Sequence, residues 1–158
     1  MYIKHSLVLL LTAMLCLAGL SGKSQTAWKT HNHANGFTLQ LPDYFKEGLL
    51  VAGGTLQWYP TDMDRDIGVS VEMWGNGTQA ELQSNYEQDI KSYPRTVYKT
   101  IKPGWYVMSG HLTDGIEFIF YNKTIIKNGV QYHLRIRYPV DQQKRFDDIL
   151  GKISSSFK

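Results

Sequence analysis

The sequence predicts an α+β domain: an antiparallel sheet of about six or seven strands flanked by two amphipathic helices, an α/β/α sandwich. Three observations predict it. Apolar residues recur at every second position in several short stretches, as in half-buried strands. Asp114-Gly115 and Asn128-Gly129 sit between apolar runs, the strongest short-range hairpin signal. Two other stretches carry apolar residues three and four apart, which places them on one helix face.

The elements follow one another with no internal repeat, low-complexity tract or linker. Residues 26–36 are polar and read as an N-terminal lead to a single domain over 37–158. Phe37-Thr38-Leu39-Gln40-Leu41 alternates and stops at Pro42, so it reads as a strand. Leu49 to Ala52 and Thr55 to Tyr59 flank Gly53-Gly54, the pattern of a hairpin. Ile67, Val69, Val71 and Met73 recur at period two and give another strand. Thr78 and Glu81 have capping-box spacing. Leu82, Tyr86, Ile90 and Tyr93 then fall on one face of a helix that Pro94 ends. Residues 97–102, 105–112, 116–126 and 130–138 predict a four-strand meander, turning at Pro103-Gly104, Asp114-Gly115 and Asn128-Gly129. Asp141 is placed to cap a last helix with an apolar face of Phe146, Ile149, Leu150, Ile153 and Phe157.

Residues 1–25 read as a secretory signal peptide. Lys4 supplies the early charge, Leu7 to Leu20 the apolar middle, and Ser21-Gly22 the small residues near the cut. The apolar run is about 14 residues, and a bilayer-spanning helix takes roughly 20. Cleavage after Ser21 or as late as Gln25 fits the pattern. Cys16 lies inside the apolar run and follows Leu15, so it reads as part of the hydrophobic segment and not as a lipidation site. Removal of 1–25 takes away the only cysteine together with Lys4 and Lys23. The 17 basic residues then fall to 15, against 14 acidic ones. The expected mature chain is a nearly neutral, disulfide-free domain, exported to the periplasm or beyond, with no membrane span after cleavage. That charge balance excludes the electrostatic footprint of a nucleic-acid binder.

A Gly36-Phe37-Thr38-Leu39-Gln40-Leu41-Pro42 opening leads to strands and a capped helix. Trp105-Tyr106-Val107-Met108-Ser109-Gly110 and Phe118-Ile119-Phe120-Tyr121 follow, and the chain closes with Tyr138-Pro139 and Phe146-Asp147-Asp148-Ile149 through Ser154-Ser155-Ser156-Phe157. Across roughly 35–158 this order resembles the PsbP-like superfamily, the Mog/PsbP/DcrB-like fold. The resemblance implies an antiparallel sheet sandwiched by helices, in a bacterial exported protein. It also implies an accessory or adaptor role through binding other proteins. It supplies no shared catalytic motif, so no site residue is carried over.

The residues with chemistry are few. Asp62, Asp64 and Asp66 alternate in a predicted loop and are the candidate metal ligands, because hard carboxylate oxygens suit calcium. Ile67 and Met73 occupy the positions where an EF-hand-type loop has glycine and glutamate, and a solvated acidic turn is the competing reading. His31 and His33 offer two imidazoles without a third ligand nearby. His133, Arg135 and Arg137 share one strand face. They read as the polar side of a half-exposed strand, with an anion-binding stripe as the alternative. Trp58, Trp74 and Trp105 read as core, with a ligand groove or protein contact as the alternative. Trp74 is out of phase with Ile67, Val69, Val71 and Met73, so it is expected on the opposite face.

No nucleophile elbow, phosphate loop or dinucleotide fingerprint is present. His111 and His133 have no local motif tying them to a serine and an acid, and Glu72 and Glu117 are the strand carboxylates available to a hydrolase. The sequence therefore implies no cofactor and a non-enzymatic binding module of the cell envelope with an unidentified protein partner. An exported hydrolase with a site built from distant residues is the second expectation, and a calcium- or small-ligand-binding domain the third.

Overall fold

The computed structural model describes residues 26–34, 36–48, 55–61 and 67–158. The signal segment, the Gly53-Gly54 turn and the loop with Asp62, Asp64 and Asp66 lie outside the described residues. The elements run β1 (Trp28–Asn32), β2 (Thr38–Pro42), β3 (Phe45–Glu47), β4 (Leu56–Pro60), β5 (Gly68–Trp74), α1 (Gln79–Ser92), β6 (Thr96–Lys102), β7 (Trp105–Asp114), β8 (Ile116–Lys127) and β9 (Val130–Pro139). A 3-10 turn (Val140–Gln142) then leads to α2 (Gln143–Ser156).

Seven strands form one antiparallel sheet in the order β3-β4-β5-β9-β8-β7-β6, and β1 pairs with β2 in a separate ribbon. The meander β6 to β9 is laid down by local hairpins. At its last turn Asn128 and Gly129 have φ of 52° and 73°, the left-handed pair that a two-residue type I′ turn requires. β5 then joins through β9, pairing Val69 with Ile136 and Val71 with Leu134.

Three expectations change. The polar lead contains β1, whose alternation is hidden because only Trp28 and His31 turn inward. The partner of β4 among the described residues is β3, with Phe45 opposite Pro60. Asp141 does not cap α2: it sits inside the 3-10 turn, and the N-cap position is Gln142, which makes no side-chain cap bond. The capping box of α1 forms as expected. Thr78 Oγ1 accepts from the Glu81 backbone N–H at 3.2 Å, and the Glu81 carboxylate accepts from the Thr78 N–H at 3.5 Å.

The sheet has two unlike faces. Odd residues of β5 and even residues of β9 (Val69, Val71, Leu134, Ile136, Tyr138) join Trp58 beneath α2 and the β1–β2 ribbon. Phe146, Ile149, Ile153 and Phe157 of α2 and Phe37, Leu39 and Leu41 close this core from above. The ribbon and α2 are stitched together: Gln40 N–H donates to Ser156 Oγ at 2.8 Å, and Thr38 N–H to the Lys158 carbonyl at 2.9 Å. On the other face α1 lays Leu82, Tyr86, Ile90 and Tyr93 over Tyr106, Met108 and Phe120. The result is a three-layer sandwich. No helix among the described residues is long and apolar enough to cross a membrane.

Candidate functional site

The layer over the first face is too narrow for the sheet. Seven strands at about 4.8 Å spacing span about 29 Å, whereas a helix is roughly 10 Å across and a two-stranded ribbon adds little more. β6 and β7 are left uncovered there. A cavity of about 900 Å³ opens between them and the C-terminal end of α2. Tyr98, Trp105, Val107, Tyr121 and Ile125 line the sheet side, and Ser154 and Phe157 the helix side. Tyr98, on the edge strand, is 56% exposed.

Lys123 crosses the floor of this groove. It falls in the apolar register of β8, between Tyr121 and Ile125, where a charge needs partners. Its ammonium donates to the Ser154 carbonyl at 2.6 Å and the Phe157 carbonyl at 3.1 Å. These are carbonyls left over at the end of α2, so Lys123 caps the helix from the sheet. Burial pushes its pKa down. The Tyr121 hydroxyl and Ser154 Oγ lie 2.5 Å apart, and burial raises the Tyr121 pKa. Lys127 donates to the Gly36 carbonyl. Among the described residues the lining contains serine, tyrosine and lysine but no histidine, cysteine or acidic side chain. The ammonium of Lys123 is engaged by backbone carbonyls, and the side chain against Ser154 Oγ is the Tyr121 hydroxyl.

The other candidates separate. His31 packs edge-on against Trp58, with ring centroids 5.3 Å apart, and burial lowers its pKa. His33 stacks on Phe37 at 5.1 Å. Among the described residues no three His, Cys, Asp or Glu converge on a metal position. Asp62, Asp64 and Asp66 lie outside those residues. Glu72 faces the α1 side next to Arg135, at 3.5 Å, while Glu117 pairs with Arg95 at 2.5 Å. The strand registers put these two carboxylates on opposite faces, so they cannot act as a pair.

The three tryptophans also divide. Trp58 is core, Trp105 lines the groove, and Trp74 turns to the opposite face as its phase predicts, 38% exposed against the His133 ring at 4.1 Å. The polar face of β9 departs from expectation. His133 is 2% exposed and lies on the α1 face against Trp74, not in solvent. Thr124 Oγ1 bonds its Nδ1 at 2.9 Å. Burial first, and then the charge of Arg135, push its pKa down to about 3.

Sequence reading passed over Asn122, Lys123 and Thr124. The available signal was their place in β8: Asn122 and Thr124 continue the phase of Phe118 and Phe120, and Lys123 that of Ile119 and Tyr121. A polar residue in an apolar phase must be satisfied or serve a ligand.

Neither a protein-family model nor a curated protein matches the sequence. The architecture is similar to the solution structure of cyanobacterial PsbP (CyanoP) from Synechocystis sp. PCC 6803. The match covers 87% of this chain and 95% of that one at a TM-score of 0.64 and 12% identity. The chain has a PsbP-like fold. At that identity the likeness concerns architecture alone. A crystal structure from Bacteroides thetaiotaomicron overlaps 66% of this chain and 38% of its own at a TM-score of 0.47 and 13% identity, too low to bear on fold or function. The PsbP-like sheet explains the groove: its meander edge outruns the helix that covers the core.

Proposed function

We propose that the protein is an exported, non-enzymatic binding module of the bacterial cell envelope, acting through protein–protein contacts at the groove beside β6. One observation carries this reading. The larger of the two cavities is open and aromatic, with Tyr98 exposed at its edge, and among the described residues no histidine, cysteine or acidic side chain lines it. Such a lining favours contact over bond-breaking, because aromatic rings give large contact area at low entropic cost. Among the described residues β6 is also an edge strand of the sheet, the position an extended segment can extend. Export follows from the charged, apolar and small-residue order of 1–25.

A photo-crosslinking amino acid at position 98 tests the contact, with the same group at exposed position 91 on α1 as control. The expected result is a discrete envelope adduct from position 98 that Trp105→Ser abolishes, and none from 91. Equal labelling from both positions, or none from either, removes the groove as the contact surface. Export is checked separately by sequencing the N-terminus of the protein recovered from the envelope, which is expected to begin between residues 22 and 26. Turnover of ester or peptide substrates that Ser154→Ala abolishes would establish the hydrolase instead.

A further inference from the structure

The face opposite the groove holds a second hollow, and the strand register explains it. On β9, Arg135 and Arg137 point to the α1 side. Their neighbours on β5 are Ser70, opposite Arg135, and Gly68, opposite Arg137. Neither has a side chain long enough to fill the space above the sheet. The nearest atom to a Cβ built at Gly68 is a Tyr59 ring carbon at 3.8 Å. α1 packs over β6 and β7 and leaves this quarter open. A cavity of about 380 Å³ results, within the range of small-molecule sites.

Its lining is unusual for a sheet face. Arg135 and Arg137 both line it, and among the described residues no carboxylate does. The acids that touch them stand to the side. Glu72 is 3.5 Å from Arg135, and Asp114, itself 72% exposed, is 3.4 Å from Arg137. A contact of that length to an exposed group such as Asp114 holds a guanidinium weakly, whereas the Arg135–Glu72 pair is half-buried, at 33% and 25% exposed. Arg137 also lies over the Phe118 ring, 4.5 Å from its centroid. Stacking uses the flat face of a guanidinium and leaves its N–H edge to donate. Asn122, opposite Arg135 on β8, lines the same cavity. It is 5% exposed, and its amide nitrogen has no hydrogen-bond partner. A buried donor without an acceptor is rare in a settled core. Tyr59 and Tyr93 supply aromatic walls.

Two arginines and an unused amide donor line one cavity, with aromatic surface beside them. We propose that this cavity binds the oxyanion of a small organic ligand, held by Arg135, Arg137 and the Asn122 amide, with a flat apolar part against Tyr59 and Tyr93. An oxyanion with two terminal oxygens matches the guanidinium fork, and it supplies the acceptor that Asn122 lacks. The site lies across the sheet from the groove, so its test does not depend on the protein-contact reading.

Heteronuclear NMR titration of the mature protein with benzoate and, separately, with inorganic phosphate tests it at low ionic strength. The expected result is saturable shifts at the Asn122 side-chain amide and at the Arg135 and Arg137 side-chain N–H signals. Arg137→Gln and Arg135→Gln are each expected to weaken the dissociation constant at least tenfold, and Arg137→Lys by less. Tighter binding of benzoate identifies an aromatic carboxylate as the ligand class; tighter binding of phosphate identifies a phosphate ester. Non-saturating shifts spread over exposed Lys99 and Lys102, or glutamine variants that bind as the parent does, overturn the proposal. Should Arg135→Gln fail to fold, Arg137→Gln and competition by excess chloride give the same decision. Chloride lacks the paired oxygens and is expected to compete at least a hundredfold less well than the preferred probe.

Discussion

The two faces of the sheet are built on opposite principles. Under α2 and the β1–β2 ribbon the packing is aromatic and aliphatic, with Tyr138 and Phe146 stacked at 3.9 Å at its centre. Under α1 the apolar patch is small, and the buried polar side chains Asn122, Thr124, Gln131 and His133 lie beside it. Gln131 is satisfied, accepting from Asn85 at 3.0 Å and donating to the Asn76 carbonyl at 3.2 Å. Tyr106 is satisfied as well, donating to Asp89 at 2.7 Å. Asn122 and one nitrogen of His133 are not. Trp58 Nε1 and His31 Nε2 on the first face are also unpaired, so both faces bear a polar cost; the second buries more polar side chains against less apolar surface.

The difference predicts unequal consequences of truncation. Phe146→Ala removes a ring from the larger core and is expected to cost about 4 kcal/mol. Leu82→Ala, fully buried in the smaller patch, is expected to cost about 2–3 kcal/mol, since α1 can settle onto the sheet. Urea unfolding of both variants measures this. A larger loss from Leu82→Ala would reverse the assignment of faces.

Gly110 tests the seam between β7 and the edge strand β6. A Cβ built there would lie 2.3 Å from the Arg95 carbonyl oxygen, and β6 has a register irregularity between Thr96 and Tyr98 at this level. Gly110→Ala must push the two strands apart. A loss of about 2–3 kcal/mol is expected, with faster hydrogen exchange in β6 than in β5 or β9. Uniform acceleration across the sheet would show that the edge does not yield separately.

His133 makes the polar face sensitive to acid. Its folded pKa, about 3, lies below the unfolded value of 6.5, so between these values the unfolded chain binds the extra proton. The stability it contributes is full above about pH 6.5 and is lost as pH falls toward 3. Between pH 7 and pH 5 this linkage amounts to roughly 2 kcal/mol. His31, lowered in the same direction, adds to it. His133→Gln is expected to flatten the dependence of unfolding free energy on pH over that interval. An unchanged slope would place the acid sensitivity elsewhere.

The first face was the more legible in the sequence, for a physical reason. Period-two alternation reports burial on one side of a strand, and it gave the meander, its turns and the helix faces of Leu82 and Phe146 directly. It reports poorly where both sides of a strand are buried. β8 is covered on both faces along much of its length, so Asn122, Lys123 and Thr124 looked like the polar half of an ordinary alternation. His133 looked solvated because nothing local shows that Trp74 comes to lie over it. The cavities were not legible at all. The groove depends on how far α2 extends across the sheet, and the second hollow on which residues of β5 face Arg135 and Arg137. Both are set by tertiary register, not by local pattern.

The two helices also begin differently. α1 starts on a reciprocal capping box, whereas α2 starts at Gln142 with no side-chain cap bond and follows a 3-10 turn. α1 covers little apolar surface and needs its cap; α2 is held by Phe146, Ile149 and Ile153. Thr78→Ala leaves the first-turn N–H groups without their acceptor and is expected to cost about 1 kcal/mol. Gln142→Ala removes no such bond and is expected to change stability by less than about 0.5 kcal/mol. Thermal unfolding measures both, and hydrogen exchange locates the first: protection should fall in the opening turns of α1 and stay unchanged in α2. Equal losses from the two substitutions would mean that packing, not capping, fixes the start of α1, and that the polar face is held more firmly than its small apolar patch implies.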